Sequence, residues 1–167
     1  MAREKIRIMF VCLGNICRSP LAEYAFRKRI RDAGLDDLFD VQSSGTGDWH
    51  VGQQADERML RKASEYGLSM GTHRAQQFDA SHLAGFDHIL TMDKTNLHDV
   101  LYLDASEGHA NKVRLFREFD PDPGDYQVPD PYHGGPSGFE YAYRIIDRTV
   151  AKLLERLVEE HDLTAGR

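Results

Sequence analysis

The fold of this chain is decided by the stretch Phe10-Val11-Cys12-Leu13-Gly14-Asn15-Ile16-Cys17-Arg18-Ser19-Pro20. It continues an apolar, β-branched run that begins at residue 6 and is typical of a buried strand. It precedes a segment in which apolar residues recur at three- and four-residue steps, as on one face of a helix, namely Ala22, Ala25, Phe26, Ile30 and Ala33. The stretch therefore predicts a strand, a short loop and a helix start, the arrangement in which α/β proteins bind anions.

The loop between this strand and this helix is predicted to form an anion site. The first N–H groups of a helix have no partner within the helix and carry the positive end of its dipole. Gly14 permits a positive φ and Asn15 tolerates the left-handed region, so successive amides of the turn can point inward. Pro20 suits the first helical turn, because its φ is fixed and it has no N–H.

Three side chains give this loop its chemistry. Cys12 lies at the entrance, where inward amides, the helix terminus and a guanidinium all favour the thiolate. Arg18 offers a planar fork that matches two phosphate oxygens. The Ser19 hydroxyl is placed to hydrogen-bond the sulfur and stabilise it as a leaving group. Together these residue types indicate a nucleophile inside a phosphate-binding loop.

The string from Val11 to Pro20 resembles the phosphate loop of the low-molecular-weight protein tyrosine phosphatase family. Cys12-x5-Arg18-Ser19 is the pattern of cysteine-dependent phosphatases, and the longer string at the end of a strand is much more specific. The resemblance covers nearly the full length. It implies a hydrolase that acts on phosphotyrosine-containing proteins through a phosphocysteine intermediate, and it implies binding of phosphate or other oxyanions by Leu13, Gly14, Asn15, Ile16, Cys17 and Ser19.

Length and composition are ordinary for one globular domain. The chain has 167 residues, of which 41% are hydrophobic and 29% charged, so we predict a single phosphatase domain over residues 1–167 with a core over about 4–160. A net charge of −6 without a long basic run argues against nucleic acid as a partner. No apolar run reaches membrane-spanning length and no signal-peptide pattern precedes the first strand, so we expect a cytoplasmic enzyme without membrane insertion.

The cysteines and histidines give no sign of a metal site or a cofactor. Cys12 and Cys17 lie in one loop, so they cannot form a disulfide framework, and two ligands cannot complete a tetrahedral zinc site. Apart from His73, the histidines are scattered and show no metal-ligand spacing. We therefore expect no metal and no cofactor.

Further along the chain, apolar periodicity and turn residues predict helices that alternate with strands. The predicted helices are residues 19–33, 56–66, 81–84 and a segment capped by Asp93. The predicted strands after the first are residues 39–44, 88–91 and 113–116, with a short extended stretch over 73–75. Five of the prolines fall in 120–136, which predicts an irregular loop. Ser137-Gly138-Phe139-Glu140 is typical of a capping box and predicts the start of a long last helix.

This alternation predicts an α/β fold with a parallel sheet covered by helices on both faces. In such sheets ligands bind at the carboxyl ends of the strands. The loops that follow strands here contain Cys12, residues 46–49, Met92-Asp93 and residues 120–136, and we expect them to converge. The resemblance implies a single-domain three-layer fold with a four-stranded parallel sheet and the phosphate loop between the first strand and the first helix.

Asp130, in Pro129-Asp130-Pro131-Tyr132, is the candidate general acid. The departing phenolate or alkoxide needs a proton, and a following proline restricts Asp130 to extended conformations that help to aim its carboxyl. The resemblance also implies an Asp-Pro-Tyr acid late in the chain, which later acts as a base on the water that hydrolyses phosphocysteine. Asp120, Asp122 and Asp125 are rivals by composition only, since they lack the following Pro-Tyr.

Trp49 and Tyr132 are the candidate pocket walls. A tryptophan in a Gly-rich loop is either a core plug or an exposed platform, and the residues alone favour the plug. The resemblance implies the platform, with both aromatics around the substrate ring in a slot too deep for phosphoserine. His133 stands where many relatives have a second tyrosine, and the loop over 44–49 looks one residue shorter than in the animal members.

The resemblance also implies supporting roles around the loop. Asn15, Ser44 and His73 are expected to hold it in a strained form, with a core histidine as the alternative for His73. Cys17 is expected to resolve an oxidised Cys12 by forming a reversible disulfide, which would make the enzyme redox-sensitive. The alternative for Cys17 is a small apolar filler at the strand–helix junction.

Three other activities fit parts of the pattern. Arsenate reductases share this fold and loop, but they need extra cysteines and this chain has none beyond Cys17. Protein arginine phosphatases resemble the loop but carry threonine where Ile16 stands. The third alternative is a phosphate-binding or redox-responsive module without turnover, and the presence of Cys12, Arg18, Ser19 and Asp130 argues against it.

Overall fold

Four parallel strands form one sheet in the computed structural model, which describes residues 4–105, 108–132 and 135–163. The strands are β1 (Ile6–Cys12), β2 (Phe39–Gly45), β3 (His88–Thr91) and β4 (Val113–Leu115). Their order is β2-β1-β3-β4, so β1 pairs on both sides. The predicted four-stranded parallel sheet is therefore confirmed.

Helices cover both faces of this sheet. They are α1 (Arg18–Asp32), α2 (Glu57–Glu65), α3 (Ser81–Gly85), α4 (Lys94–Tyr102) and α5 (Pro136–Glu160). Short 3₁₀ turns occupy Asp36–Leu38, Ala110–Lys112 and Phe116–Phe119. Asp56 and Asp93 cap α2 and α4, because their carboxylates accept hydrogen bonds from the first-turn amides of Arg58 and Asn96.

The central strand β1 is apolar and buried from Ile8 to Cys12, so side chains on both of its faces lie in the protein interior. Ile8 and Phe10 belong to the larger core cluster with α1 and α5, whereas Met9 and Val11 belong to a second cluster with α3 and α4. Alternate residues of a strand point to opposite faces, so one strand supplies two cores. A strand anchored in this way gives Cys12, at its carboxyl end, a rigid base.

The loops at the carboxyl edge of the sheet are joined by backbone hydrogen bonds. The Thr46 amide donates to the Cys12 carbonyl, the Met92 amide to the Val11 carbonyl, and the Val128 amide to the Met92 carbonyl, at 2.9, 3.0 and 2.8 Å. The predicted convergence of these loops is therefore confirmed. Among the residues that the structure describes, no helix is both long and apolar enough to cross a membrane.

The predicted capping box of the last helix was wrong. The last helix begins at Pro136 with Gly135 before it, and Ser137 lies inside its first turn rather than at the cap. Glu140 accepts hydrogen bonds from Lys62, Tyr66 and Arg144 instead of closing a capping box, because α2 packs beside α5 and brings Lys62 and Tyr66 within reach.

The short stretch predicted to be extended over 73–75 lies outside every helix and strand of the described residues. The pairing nearest to it is a single bridge between Gln77 and Gly45.

Candidate active site

The loop after β1 curves around the sulfur atom of Cys12. Asn15 adopts a left-handed conformation with φ of 58°, which directs its backbone amide to the Cys12 Sγ at 3.3 Å. The Ser19 Oγ lies 2.9 Å from the same sulfur. Cys12 is only 3% exposed. The folded chain therefore holds the sulfur in a fixed place with two polar neighbours.

The Asn15 side chain maintains this turn from below. Its Nδ2 donates to the hydroxyls of Ser19 and Ser43, both at 2.9 Å, and its Oδ1 accepts from the Gln76 amide at 2.9 Å. The His73 Nε2 lies 2.8 Å from the Asn15 carbonyl oxygen. A left-handed non-glycine residue costs free energy, and it persists where surrounding bonds over-determine it. These bonds supply that constraint.

Ser43, rather than the expected Ser44, contributes its side chain to this network. The Ser43 hydroxyl also donates to Glu23 at 2.6 Å, whereas the Ser44 hydroxyl donates to the Met9 sulfur at 3.2 Å. Ser44 takes part only through its carbonyl oxygen, 3.3 Å from the Ser19 Oγ. Adjacent strand residues face opposite ways. Val41 packs in the core with α1 and lies two residues before Ser43 in β2, so both side chains face the same side of the sheet. This alternation could have identified Ser43 from the sequence.

Arg18 is aimed into the site by partners from two other loops. Its Nη1 donates to Asp93 Oδ2 at 2.8 Å and to the Val128 carbonyl at 3.0 Å. Burial opposes the charge on the guanidinium, but the nearby Cys12 and the hydrogen bond to Asp93 outweigh it and raise the pKa of Arg18. Arg18 is therefore a permanently charged group with one nitrogen already fixed in direction.

Asp93, which the sequence identified as a helix cap in one of the converging loops, is also the carboxylate partner of Arg18. One carboxylate oxygen accepts from the Asn96 amide at 2.8 Å, while the other accepts from Arg18. The available signal was an acidic residue directly after a parallel strand, at the edge where the phosphate loop lies. The Asp93 side chain both caps α4 and binds Arg18. The first turn of α4 therefore positions Arg18.

Asp130 lies at the mouth of the site, and its rivals do not. Its Oδ2 is 3.6 Å from Arg18 Nη2, and its Oδ1 accepts from the Tyr132 amide at 3.0 Å. Asp120 is instead buried between Arg117 and Arg148. Asp122 and Asp125 line a different surface hollow. Of these four aspartates, Asp130 alone lines the pocket that contains Cys12.

That pocket, together with the open solvent at its mouth, has a volume of about 490 Å³. Its lining consists of Cys12, Leu13, Gly14, Ile16, Cys17, Arg18, Trp49, His50, Asp130 and Tyr132. Asn15, Ser19, Ser44 and His73 lie beneath it as support. The structure therefore brings the predicted catalytic and wall residues together around one sulfur.

The aromatic walls differ from the expectation drawn from the residues alone. Trp49 is 66% exposed and lies over Gly47, where a Cβ atom would come within 1.8 Å of the indole. It is therefore a platform and not a core plug. The Arg58 guanidinium supports Tyr132, since it donates to the Tyr132 carbonyl at 2.8 Å and lies 5.4 Å from the ring centroid. His133 lies outside the described residues.

His50 is a wall residue that the sequence did not suggest. Its ring centroid is 6.1 Å from that of Tyr132, and its Nδ1 lies 2.9 Å from Gln53 Oε1. The ring also covers Gly14, where a Cβ would be 2.9 Å from His50 Cδ2. A single histidine in a turn-rich loop carries no pattern, so its place became visible only in the folded chain.

Cys17 precedes the first residue of α1 and is buried. Burial is the main cause that raises the pKa of its thiol strongly, and the nearby Asp56 and Cys12 raise it further. Cys17 therefore remains a neutral thiol at ordinary pH, whereas the sequence pattern requires a thiolate at Cys12.

The chain is similar to known proteins over most of its length. A family model described as low molecular weight phosphotyrosine protein phosphatase matches residues 7–163. The low molecular weight protein-tyrosine-phosphatase of Streptomyces coelicolor is 42% identical over 156 residues, which cover 92% of this chain and 94% of that protein.

Solved structures agree with this match. A protein tyrosine phosphatase from Entamoeba histolytica, with Hepes in the active site, superposes with a TM-score of 0.88 at 33% identity over 95% of this chain and 100% of that chain. A Drosophila arginine phosphatase superposes with a TM-score of 0.84 at 29% identity over 90% of this chain and 97% of that chain.

Proposed function

Because the chain belongs to the low molecular weight phosphotyrosine protein phosphatase family and is therefore a hydrolase, we propose how its residues divide the reaction. Cys12 is the nucleophile, Arg18 binds the phosphate oxygens, and Asp130 is the general acid and base. The observation that carries this assignment is that all three line one pocket, in which Arg18 Nη2 lies 3.6 Å from Asp130 Oδ2 and the charge of Arg18 interacts with Cys12.

In the first step the Cys12 thiolate attacks phosphorus and the bond to the phenolic oxygen breaks. Asp130 gives its proton to that oxygen, which leaves as a neutral phenol. The phosphoryl oxygens accept hydrogen bonds from the backbone amides of the loop and from the guanidinium of Arg18. These donors lie where negative charge increases toward the transition state. Asp93 and the Val128 carbonyl hold that fork, so little reorganisation is needed.

In the second step water attacks the phosphocysteine and the sulfur–phosphorus bond breaks. Asp130, now ionised, takes a proton from the water, and the sulfur leaves as a thiolate. The Ser19 hydroxyl at 2.9 Å is placed to donate to that thiolate. The Asn15 amide at 3.3 Å adds a second donor, so the leaving group is stabilised from two sides.

The pocket walls support phosphotyrosine as the substrate. Cys12 lies at the floor and Trp49, His50 and Tyr132 rise around it, so a flat ring between floor and rim fits the lining. Ile16 is an apolar lining residue at the position where arginine phosphatases carry threonine. We infer that phosphotyrosine is the preferred substrate and phosphoserine is too short to reach the sulfur.

Initial rates on peptides of identical sequence that carry phosphotyrosine, phosphoserine or phosphoarginine would test this inference. We expect kcat/KM to be highest for phosphotyrosine by more than about tenfold, since the discrimination rests on burial of a ring in a shaped pocket. A higher kcat/KM for phosphoarginine would instead place the chain with the arginine phosphatases. An assay of arsenate reduction with thiol reductants would test the alternative that the chain is an arsenate reductase.

We further propose that the enzyme acts in the cytoplasm and is redox-sensitive through Cys12 and Cys17. Both cysteines are unpaired in the structure, which suits a reducing compartment. Oxidation of Cys12 by peroxide gives a sulfenic acid and water, and attack by Cys17 would release a second water and form the disulfide.

To test this, wild type and Cys17→Ser would each be treated with peroxide and then with dithiothreitol, and the recovered phosphatase activity of the two proteins would be compared. Recovery only in wild type supports the resolving role. The raised pKa of the buried Cys17 thiol predicts slow resolution, and equal recovery of both proteins would make Cys17 an apolar filler.

A further inference from the structure

A group of two histidines and one glutamate lies at the edge of the sheet opposite the active site. His88 opens β3 and pairs with Ile8 in β1, while Cys12 ends β1 at the other edge. Glu160 is the last residue of α5, and His161 follows it. Sequence spacing did not suggest this group, because 73 positions separate the two histidines.

The geometry of the group matches that of metal ligands. The Nε2 atoms of His88 and His161 are 3.2 Å apart, and the two rings are perpendicular at 90°. One ligand atom from each of the three residues lies within 4.8 Å of the others. Two nitrogens bound to Zn²⁺ at about 2.0–2.1 Å with a tetrahedral angle are themselves separated by about 3.3 Å. The two imidazoles therefore already have the required separation.

The third member of the group completes the donor set. The Glu160 side chain is exposed, so rotation about its own bonds can bring an oxygen closer without moving the backbone. Both histidines are half-buried, which limits the number of rotamers they adopt. Two imidazoles and one carboxylate are a ligand set that suits Zn²⁺ and leaves one position for water.

We propose that His88, Glu160 and His161 form a binding site for a divalent transition metal, of which Zn²⁺ fits the ligand set best. The ion would join the end of α5 to the start of β3, far from the chemistry at Cys12. A ligand that binds only the folded chain stabilises it by mass action. A bound ion would therefore fasten the last turn of the longest helix to the sheet and stabilise the folded chain.

Calorimetric titration with Zn²⁺ tests the proposal. Because a cysteine thiolate also binds Zn²⁺, the titration uses the Cys12→Ser protein, alone and with each ligand changed in turn. We expect one ion per chain, and affinity reduced by more than about tenfold in His161→Gln and in Glu160→Gln, since losing a ligand exceeds the loss of an outer hydrogen bond. His98→Gln, on the exposed face of α4, is the matched control and should bind normally.

Two further measurements separate the site from adventitious binding. Zn²⁺ should raise the Tm of the parent and of His98→Gln but not of His161→Gln. Co²⁺ should give the visible bands of nitrogen and oxygen ligands without a sulfur charge-transfer band. Absence of binding in the parent, or equal binding in His161→Gln and Glu160→Gln, would overturn the proposal and leave the two imidazoles as a hydrogen-bonded pair.

Discussion

The floor and the rim of the active site are built in different ways. At the floor, Asn15, Arg18 and Ser19 are almost completely buried and each makes several hydrogen bonds. At the rim, Trp49 is 66% exposed and the Asp130 side chain 36% exposed. The floor is rigid because buried polar groups need partners, whereas the rim can adapt because water satisfies its groups.

This difference separates the two tasks of the site. The phosphate is the same in every substrate, so a preorganised floor lowers the barrier without reorganisation at each turnover. The polypeptide around a phosphotyrosine varies, and an exposed rim tolerates that variation. We therefore expect substitutions of floor residues that contact the phosphate to lower kcat, and substitutions at the rim other than Asp130 to raise KM.

Cys12→Ser removes the nucleophile but keeps the shape of the floor. We expect kcat to fall by at least about 10⁴-fold, as for loss of other catalytic nucleophiles. Binding of inorganic phosphate, measured by calorimetry, should stay within a few-fold of wild type. Substantial remaining turnover would mean that the floor does not supply the nucleophile.

Arg18→Lys keeps the charge of the floor and loses its fork. We expect kcat to fall about a hundredfold or more, because a preorganised donor to the transition state is lost. Arg58→Lys makes the same change beside Tyr132 and should cost less than about tenfold, mainly in KM. Similar losses in kcat for the two variants would remove the distinction between floor and rim.

Asp130→Asn tests the one rim residue that takes part in the chemistry. With phenyl phosphate, whose leaving group is poor, we expect kcat to fall about a hundredfold. With 4-nitrophenyl phosphate the deficit should shrink, because a stable phenolate needs less help from a proton. An equal loss on both substrates would indicate that Asp130 positions the substrate instead.

Asn15→Ala and Asn15→Gly separate backbone strain from hydrogen bonding at the floor. Both remove the bonds to Ser19 and Ser43, which should lower the free energy of unfolding by about 1–3 kcal/mol. Only alanine adds the cost of a left-handed φ, so Asn15→Ala should be the less stable of the two. Chemical denaturation measures both, and the reverse order would show that strain is not important here.

Trp49→Ala should have the smallest effect on turnover. Loss of the exposed platform should raise KM for a phosphotyrosine peptide several-fold and leave kcat within about twofold, as when uniform binding is removed. Tyr102→Ala is the matched control, because Tyr102 is 89% exposed on α4 and does not line the pocket. A large fall in kcat for Trp49→Ala would assign the rim a part in the chemistry.

The sequence by itself determined the features that adjacent residues encode. A β-branched run, a loop with Gly14 and Asn15, and an amphipathic segment after Pro20 predict a strand, an anion-binding turn and a helix, because backbone sterics and periodicity act over a few positions. The alternation of such segments was enough to predict the parallel sheet and the edge at which Cys12 lies.

Only the tertiary structure decided which distant groups meet. Strand parity selected Ser43 over Ser44, and the packing of α2 beside α5 drew Glu140 away from the helix cap. Asp93, which follows β3, accepts a hydrogen bond from Arg18, and His161, which follows α5, lies beside His88. The physical reason is that such contacts depend on register and on the packing of side chains across long stretches of chain, which no local pattern records.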